Sequence, residues 1–170
     1  MAKGKLFVIS GPSGAGKGTI CKEVLASERD IKMSVSMTTR SPREGEINSV
    51  HYHFVDHDFF RNLIEEDGFL EYARVFGNYY GTPKKQVNEW LDHGTDVILE
   101  IDVQGALQVK EAYPDGILIF ILPPSLEELK RRIITRGSET EETMQIRLGE
   151  AVHEISTIDR YDYRVINEDL

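Results

Sequence analysis

Three short apolar runs interrupt an otherwise polar chain, at residues 5–10, 97–102 and Ile117–Leu122. Continuous rather than alternating apolar runs are typical of strands buried on both faces of a parallel sheet. The pattern predicts a fourth strand at Tyr163–Ile166, and helices near residues 17–26 and 104–112 that alternate with the strands. Strands alternating with helices predict an α/β fold in which helices cover both faces of a parallel sheet.

Residues 34–80 follow a different pattern. Mixed polar and apolar strands are predicted at 34–39 and 51–55, with a short helix near 58–66 that ends at Gly68. The segment closes on a turn-rich stretch, Gly-Asn-Tyr-Tyr-Gly. It therefore predicts a small α+β subdomain inserted into the main fold.

Helix start signals mark the rest of the chain. The Thr-Pro pair at 82–83 predicts an N-cap followed by proline at the first helical position, with Gly94 beyond the other end. Ser-x-x-Glu patterns at 125–128 and 138–141 predict two more helix starts. The helices that they open form a predicted hairpin rich in arginine and glutamate.

The composition indicates which class of protein this is and where in the cell it is expected. A chain of 170 residues with 40% hydrophobic and 29% charged residues is typical of one globular domain. Cys21 is the one cysteine, so the sequence indicates no internal disulfide. The longest apolar run, Ile117–Leu122, is too short to span a bilayer, and residues 1–5 show no cleavage-site pattern. We therefore expect a cytoplasmic protein that binds no membrane.

The formal net charge of −9 argues against a nucleic-acid-binding protein, because such proteins need a basic face. If the ligands are polyanionic, cations have to be concentrated locally to offset the acidic field.

A phosphate-binding motif supplies the first such cation. Residues 11–17 read Gly-Pro-Ser-Gly-Ala-Gly-Lys and lie between a predicted strand and a predicted helix, as the G-x-x-x-x-G-K pattern requires. Backbone N–H groups, the positive helix end and Lys17 would surround a nucleotide's phosphates. The position after Lys17 carries Gly18 instead of Ser or Thr, and Thr19 follows, so the usual Mg²⁺-contacting hydroxyl is displaced by one residue. A Gly-rich turn without a ligand is the alternative, which the strand-to-helix context disfavours.

Further motifs resemble those of guanylate kinases, and the resemblance runs in order from Lys5 to Leu170. They lie at residues 34–46 (Ser-Val-Ser-Met-Thr-Thr-Arg-Ser-Pro-Arg-Glu-Gly-Glu), 69–73, 77–81, 97–105, 120–125 and 165–168. The resemblance implies a P-loop three-layer fold with a parallel central sheet, an inserted α+β GMP-binding subdomain and a helical lid. It divides one domain, 1–170, into a core (1–33, 82–124 and 159–170), a GMP-binding subdomain (34–81) and a lid (125–158). The implied reaction transfers the γ-phosphoryl group of ATP to GMP, and dGMP is expected to serve as well.

The resemblance also implies a set of acceptor-site residues. They are Ser36, Arg40, Arg43, Tyr52, Glu71, Tyr80, Thr82, Glu100 and Asp102. Guanidinium groups match phosphate oxygens bidentately, which suits Arg40 and Arg43 to the GMP phosphate. Glu71 can accept hydrogen bonds from guanine N1–H and the N2 amino group, a donor pair that adenine lacks. Without the family, solvated surface arginines and an ordinary exposed carboxylate remain open alternatives.

The resemblance further implies residues that bind ATP, residues that bind Mg²⁺ and catalytic residues. The implied ATP-binding residues are Gly11, Pro12, Ser13, Gly14, Ala15, Gly16, Lys17, Gly18, Thr19 and, near the adenine, Asn167. Thr19 and Asp102 are expected to bind Mg²⁺, partly through water. The implied catalytic residues are Lys17, Arg40, Arg132, Arg136 and Arg147. The lid arginines would stabilise charge on the transferring group, although surface ion pairs are the alternative.

Three positions depart from the family pattern. Thr82 stands where serine is common, and Glu100 where aspartate is common. The third is the end of the chain, because family members usually continue past the final Asn-Glu segment into another helix. The expected partners are the small molecules GMP and ATP, with a homodimer left open.

Parts of the sequence are also compatible with other functions. His51 and His53 share a strand face and could bind a metal, but solvated histidines are commoner there. Cys21 reads as a packed residue rather than a nucleophile. A kinase for another monophosphate, a non-catalytic guanylate-kinase-like module that binds phosphopeptides, and a P-loop GTPase remain alternatives. The intact cradle disfavours the module, and the sequence has no N-K-x-D motif typical of a GTPase.

Overall fold

The computed structural model describes residues 2–135 and 140–168. The strands in these ranges are β1 (Leu6–Ser10), β2 (Ile31–Met33), β3 (Met37–Thr38), β4 (His53–Phe54), β5 (Phe69–Val75), β6 (Asn78–Pro83), β7 (Asp96–Glu100), β8 (Ile117–Leu122) and β9 (Tyr163–Ile166). The α-helices are α1 (Lys17–Ser27), α2 (His57–Glu65), α3 (Lys84–Asp92), α4 (Val103–Ala112), α5 (Leu126–Thr135) and α6 (Glu141–Ile155).

The central sheet has five parallel strands in the order β2-β7-β1-β8-β9. Its strands β8 and β9 have the predicted bounds, and the α/β class with a parallel central sheet is confirmed. The predicted run 97–102 ends as a strand at Glu100, because Asp102 turns away to cap α4. Strand β2 was missed, since two half-buried residues on either side of one exposed residue leave too short a pattern to recognise.

Helices cover both faces of this sheet, as predicted. On one face, α3 and α4 contribute Val87, Leu91 and Val109 to a core with the central strands. On the other face, α1 buries Cys21 against the sheet, so this thiol is a packed core residue. Burial first, and the nearby Glu100 carboxylate second, raise the pKa of Cys21 to about 12, which leaves it protonated.

A second, four-stranded sheet has the order β4-β3-β6-β5 and is made only from residues 37–83. Phe60 of α2 is fully buried on it, with ring centroids 4.3 Å from Phe69 and 5.0 Å from Tyr79. The predicted strands 34–39 and 51–55 form only two-residue strands. The prediction of a turn at residues 77–81 was wrong beyond Gly77, because β6 begins at Asn78 and pairs with β5.

The ends of the helices show which of the predicted caps and stops are correct. The Thr82 N-cap was predicted wrongly: Thr82 is the buried fifth residue of β6, and Pro83 occupies the cap of α3. Gly94 does follow the C-terminus of α3, with φ 83°. After α2, Asp67 adopts the left-handed conformation one residue before the predicted stop at Gly68.

The last two α-helices form the predicted charged hairpin. Ser125 Oγ accepts a hydrogen bond from the Glu128 backbone at 3.0 Å, which confirms the first cap. The second cap signal begins at Ser138, outside the described residues, and Thr140 is the N-cap of α6. The two helices pack through Leu129, Ile133 and Ala151. Among the described residues, no helix combines the length and hydropathy that a bilayer crossing needs.

Candidate functional site

The predicted phosphate cradle forms the loop between β1 and α1. Gly11, Gly14 and Gly16 have φ of 145°, 87° and 93°, which side-chain-bearing residues rarely adopt. At Gly11 a Cβ atom would also lie 2.3 Å from the Ile121 carbonyl oxygen, so only glycine fits there. The loop ends at the N-terminus of α1, where free backbone N–H groups and the helix dipole favour an anion.

Lys17 supplies the positive charge of this loop. Its Nζ donates to the Gly11 carbonyl oxygen at 2.8 Å, which holds the side chain across the loop. Burial lowers the pKa of Lys17, while the Glu154, Glu100 and Asp102 carboxylates act in the opposite direction. A phosphate that enters the loop would meet a cation already desolvated by the protein.

A cavity of about 850 Å³ opens beside the cradle. Ser13 and Lys17 of the cradle line it, together with Phe76, Val103 and Glu154. Glu154 belongs to α6, so the helical hairpin faces the cradle across this cavity. Sequence patterns did not single out Glu154, because it looks like any other glutamate of a charged helix.

The position after Lys17 has an unusual environment. A Cβ atom built on Gly18 would lie 3.5 Å from Glu100 Oε1, so the place of the usual hydroxyl faces a carboxylate. Thr19 is exposed. Asp102 Oδ1 accepts a hydrogen bond from the Gly105 backbone at 2.8 Å and caps α4. Across the described ranges, no group of three or more His, Cys, Asp or Glu residues is arranged to hold a metal ion.

A second cavity of about 280 Å³ lies between the two sheets. Six of the predicted acceptor-site residues line it: Ser36, Tyr52, Glu71, Tyr80, Glu100 and Asp102. The two cavities share Val75 and Asp102, so they are neighbours. Thr82 lies behind the lining, fully buried, with its hydroxyl on Glu71.

Glu71 is the buried carboxylate of this second cavity, with 8% exposure. Thr82 Oγ1 donates to its Oε1 at 2.8 Å. A Cβ atom on Gly105 would lie 2.8 Å from its Oε2, so the N-terminal turn of α4 leaves room for this carboxylate only because residue 105 is glycine. Burial raises the pKa of Glu71 to about 7, partly offset by the Thr82 hydroxyl and reinforced by Asp102.

The predicted arginines Arg40 and Arg43 are not among the residues that line this cavity. Arg40 binds Glu46 bidentately, with Nη1–Oε1 and Nη2–Oε2 distances of 2.8 and 3.0 Å. Its guanidinium carbon lies 5.3 Å from the centre of the Tyr52 ring, which lines the cavity. Arg43 is exposed in the same loop. Sequence reasoning missed Glu46, although it closes the Arg-Glu-Gly-Glu stretch of the motif.

Arg132 does not line either cavity described above. Its side chain is buried, and Nε binds Glu128 at 3.1 Å while Nη2 donates to the Asn167 carbonyl oxygen at 3.0 Å. Asn167 in turn donates from Nδ2 to the Ala15 carbonyl oxygen of the cradle at 2.9 Å. Arg132 and Asn167 therefore connect the helical hairpin to the phosphate loop.

The other lid arginines are placed differently. Arg147 lies on α6 and is partly buried. Arg136 lies outside the described residues. The two histidines considered as metal ligands form contacts within their own surface loop. His51 Nδ1 accepts a hydrogen bond from the Ile47 backbone N–H at 2.9 Å, and His53 Nδ1 lies 3.1 Å from Ser49 Oγ.

Known proteins resemble this chain over nearly its whole length. The sequence model of guanylate kinases matches residues 3–170. Guanylate kinases of Clostridium acetobutylicum and Clostridium tetani are 61% and 60% identical, over 98% and 99% of this chain and 79% and 80% of their own. The crystal structure of guanylate kinase from Anaplasma phagocytophilum superposes with a TM-score of 0.77 at 38% identity, covering 99% of this chain and 79% of that one.

Proposed function

The chain belongs to the guanylate kinase family and transfers the γ-phosphoryl group of ATP to GMP, giving ADP and GDP, and we propose that its two adjoining cavities hold the two nucleotides. The observation that carries this assignment is their common boundary at Val75 and Asp102. Phosphoryl transfer requires mainly that donor and acceptor phosphates meet in line within a charged, dry site. Adjoining cavities meet that requirement.

GMP occupies the smaller cavity in this proposal. Glu71, held by Thr82, accepts from guanine N1–H and the N2 amino group, and Ser36 lies in the same wall. Arg40, Arg43 and the Tyr52 and Tyr80 hydroxyls bind the phosphate. These residues bind the base and the phosphate of GMP rather than its ribose. Since dGMP differs from GMP only at the ribose 2′ position, we expect dGMP to be accepted too.

ATP occupies the cradle and the larger cavity. Backbone N–H groups of residues 13, 14 and 16 and the N-terminus of α1 bind the phosphates, with Lys17 on the β and γ groups. Pro12 has no backbone N–H, and the Ala15 N–H donates to the Pro12 carbonyl oxygen at 3.2 Å. Asn167 lies near the adenine. The Asn167 side chain bonds Ala15, and Arg132 bonds the carbonyl oxygens of the two residues that follow β9. These bonds support a positioning role for Arg132, in which it couples the hairpin to the cradle.

The helical hairpin acts as a lid in this proposal. Glu154 on α6 lines the larger cavity, which supports an approach of α6 to the cradle. Arg147 on α6, and Arg136 by resemblance, stabilise the negative charge that develops on the transferring group. Lid closure expels water and so limits wasteful ATP hydrolysis.

The donor set around Gly18 fits Mg²⁺. The Asp102 and Glu100 carboxylates lie near enough to Lys17 to act on its pKa, and Thr19 adds a hydroxyl nearby in sequence. Mg²⁺ commonly keeps several waters and uses one or two carboxylates with the substrate phosphates, so few protein ligands suffice. When bound, the ion neutralises charge on the ATP phosphates. Thr19 and Asp102 hold it, partly through water.

A binding experiment tests the two-cavity arrangement. GMP and a non-hydrolysable ATP analogue are titrated by calorimetry, separately and in the presence of each other. We expect two sites that are occupied together, with either order of addition giving the ternary complex. Strict competition between the two nucleotides would contradict the assignment. The proposal also places the protein in the cytoplasm.

A further inference from the structure

Glu46 occupies the loop that carries both acceptor-site arginines. Its carboxylate takes both terminal nitrogens of Arg40, and its Oε1 also accepts from the Arg43 backbone N–H at 2.7 Å. The side chains of Arg40 and Glu46 are only 14% and 19% exposed. One carboxylate thus connects the two arginine positions that the proposed function assigns to the GMP phosphate.

A tight turn brings Glu46 back to Arg40. The Glu46 backbone N–H donates to the Arg43 carbonyl oxygen at 3.0 Å. Gly45 has φ 84° within this turn, and a Cβ atom there would contact nothing within 4 Å. Glycine is therefore required for the backbone conformation rather than for space. The loop is built so that the carboxylate faces Arg40.

The bonds of Arg40 leave one edge of the guanidinium for a ligand. Of the five N–H groups of an arginine, Glu46 takes two and the Ser41 carbonyl oxygen takes another from Nη1 at 2.9 Å. The two remaining N–H groups, on Nε and Nη2, form an edge whose geometry suits two phosphate oxygens. The Tyr80 hydroxyl, which the proposed function also assigns to the GMP phosphate, interacts with the Arg40 side chain as well. The Tyr52 and Phe54 rings lie 5.3 and 5.8 Å from the guanidinium carbon, which further fixes the plane.

We propose that Glu46 is a positioning residue of the acceptor site, which holds Arg40 so that its Nε–Nη2 edge binds the phosphate of GMP. The inference rests on the proposed function, in which Arg40 binds that phosphate. Glu46 touches no substrate and acts through Arg40. The competing role is that of an internal anion that occupies Arg40 until GMP displaces it. The two roles predict opposite effects of removing the charge.

Glu46→Gln separates the two roles, with Glu44→Gln as the matched control from the same loop, where Glu44 is exposed. If Glu46 positions Arg40, loss of the two-pronged ion pair raises the KM for GMP by roughly tenfold. The KM for ATP stays within about twofold of the wild-type value. The thermal midpoint of unfolding stays within about 2 °C of that of the wild type. Glu44→Gln leaves all of these values unchanged. An unchanged or lower KM for GMP in Glu46→Gln overturns the proposal.

A double-mutant cycle with Arg40→Ala shows whether Glu46 acts through Arg40. In the Arg40→Ala background, adding Glu46→Gln is expected to change the dissociation constant of GMP by less than about twofold. An undiminished tenfold effect there overturns the proposal and leaves the role of Arg40 intact. If Arg40→Ala alone leaves GMP binding unchanged, the assignment of Arg40 to the phosphate fails as well, so the two failures are distinguishable.

Discussion

The Thr82 hydroxyl donates a 2.8 Å hydrogen bond to the Glu71 carboxylate, and both residues are buried. A buried carboxylate normally favours its protonated form, but this bond favours the ionised one. Thr82 therefore helps to keep Glu71 able to accept two hydrogen bonds from guanine.

Glu71→Gln tests the assignment of base recognition. The amide keeps the bond to Thr82 but offers only one acceptor to the two guanine donors, and its NH₂ group opposes them. We expect the KM for GMP to rise by about 100-fold, in the range measured for lost hydrogen bonds to charged groups. The KM for ATP should stay within about twofold. Equal losses for both nucleotides would show that Glu71 supports the fold or the lid instead.

The pH dependence of GMP binding tests the ionisation of Glu71. Since its pKa is raised to about 7, the side chain becomes mostly protonated as the pH falls below that value. The affinity for GMP should then weaken by up to about tenfold per pH unit. GMP has a phosphate ionisation of its own near pH 6, and Glu71→Gln retains only that component. Identical pH profiles for wild type and variant would remove Glu71 from the account.

The same pKa predicts an effect on stability. Folding raises the pKa of Glu71 from 4.5 to about 7. Protonated Glu71 therefore contributes to the stability of the fold fully below pH 4.5, and this contribution is lost as the pH rises through 7. Glu71→Gln does not ionise and so does not lose stability in this way. Relative to the wild type, the variant should be more stable at pH 8 than at pH 4 by roughly 3 kcal/mol. Urea unfolding of both proteins at the two pH values measures it; a pH-independent difference contradicts it.

Gly105→Ala tests the close approach of α4 to Glu71. The added methyl group would lie 2.8 Å from Glu71 Oε2 and must displace the carboxylate. We expect the KM for GMP to rise by about tenfold, since small displacements of a binding group have effects of this order. The KM for ATP serves as the internal control. An unchanged KM for GMP would mean that the carboxylate can shift without loss of recognition.

Arg132→Lys tests whether Arg132 positions the cradle. A lysine cannot bind Glu128 and the Asn167 and Glu168 carbonyl oxygens together, as the guanidinium does. We expect a loss of about 1–3 kcal/mol in stability and a raised KM for ATP. Arg131→Lys is the control, because Arg131 binds the same Glu128 from an exposed position. A fall in kcat alone, with stability unchanged, would indicate direct action on the transferring group.

The sequence predicted best what depends on near neighbours. Strands β8 and β9, the phosphate loop and the Ser125 cap follow from contiguous residues. Strands β5 and β6 are more polar and form because they pair with each other. Thr82 looked like a helix cap because Thr-Pro is a local signal, whereas its partner Glu71 comes from the neighbouring strand.

The site residues divide in the same way. The family motif identified Arg40 and Glu71, but not what holds them. Glu46 reaches Arg40 through the turn at Gly45, and Arg132 binds carbonyl groups 35 and 36 residues away. Such contacts depend on the folded arrangement, which no spacing along the chain specifies.

The most direct measurement is the rate of ADP production from ATP and Mg²⁺ with GMP, dGMP, AMP and UMP as parallel acceptors. We predict turnover with GMP and dGMP, and rates with AMP and UMP close to the background without acceptor. Recovery of GDP in a 1:1 ratio with ADP would identify phosphoryl transfer rather than stimulated hydrolysis. A GMP rate no higher than that background, with binding of a phosphopeptide in the smaller cavity, would contradict the account.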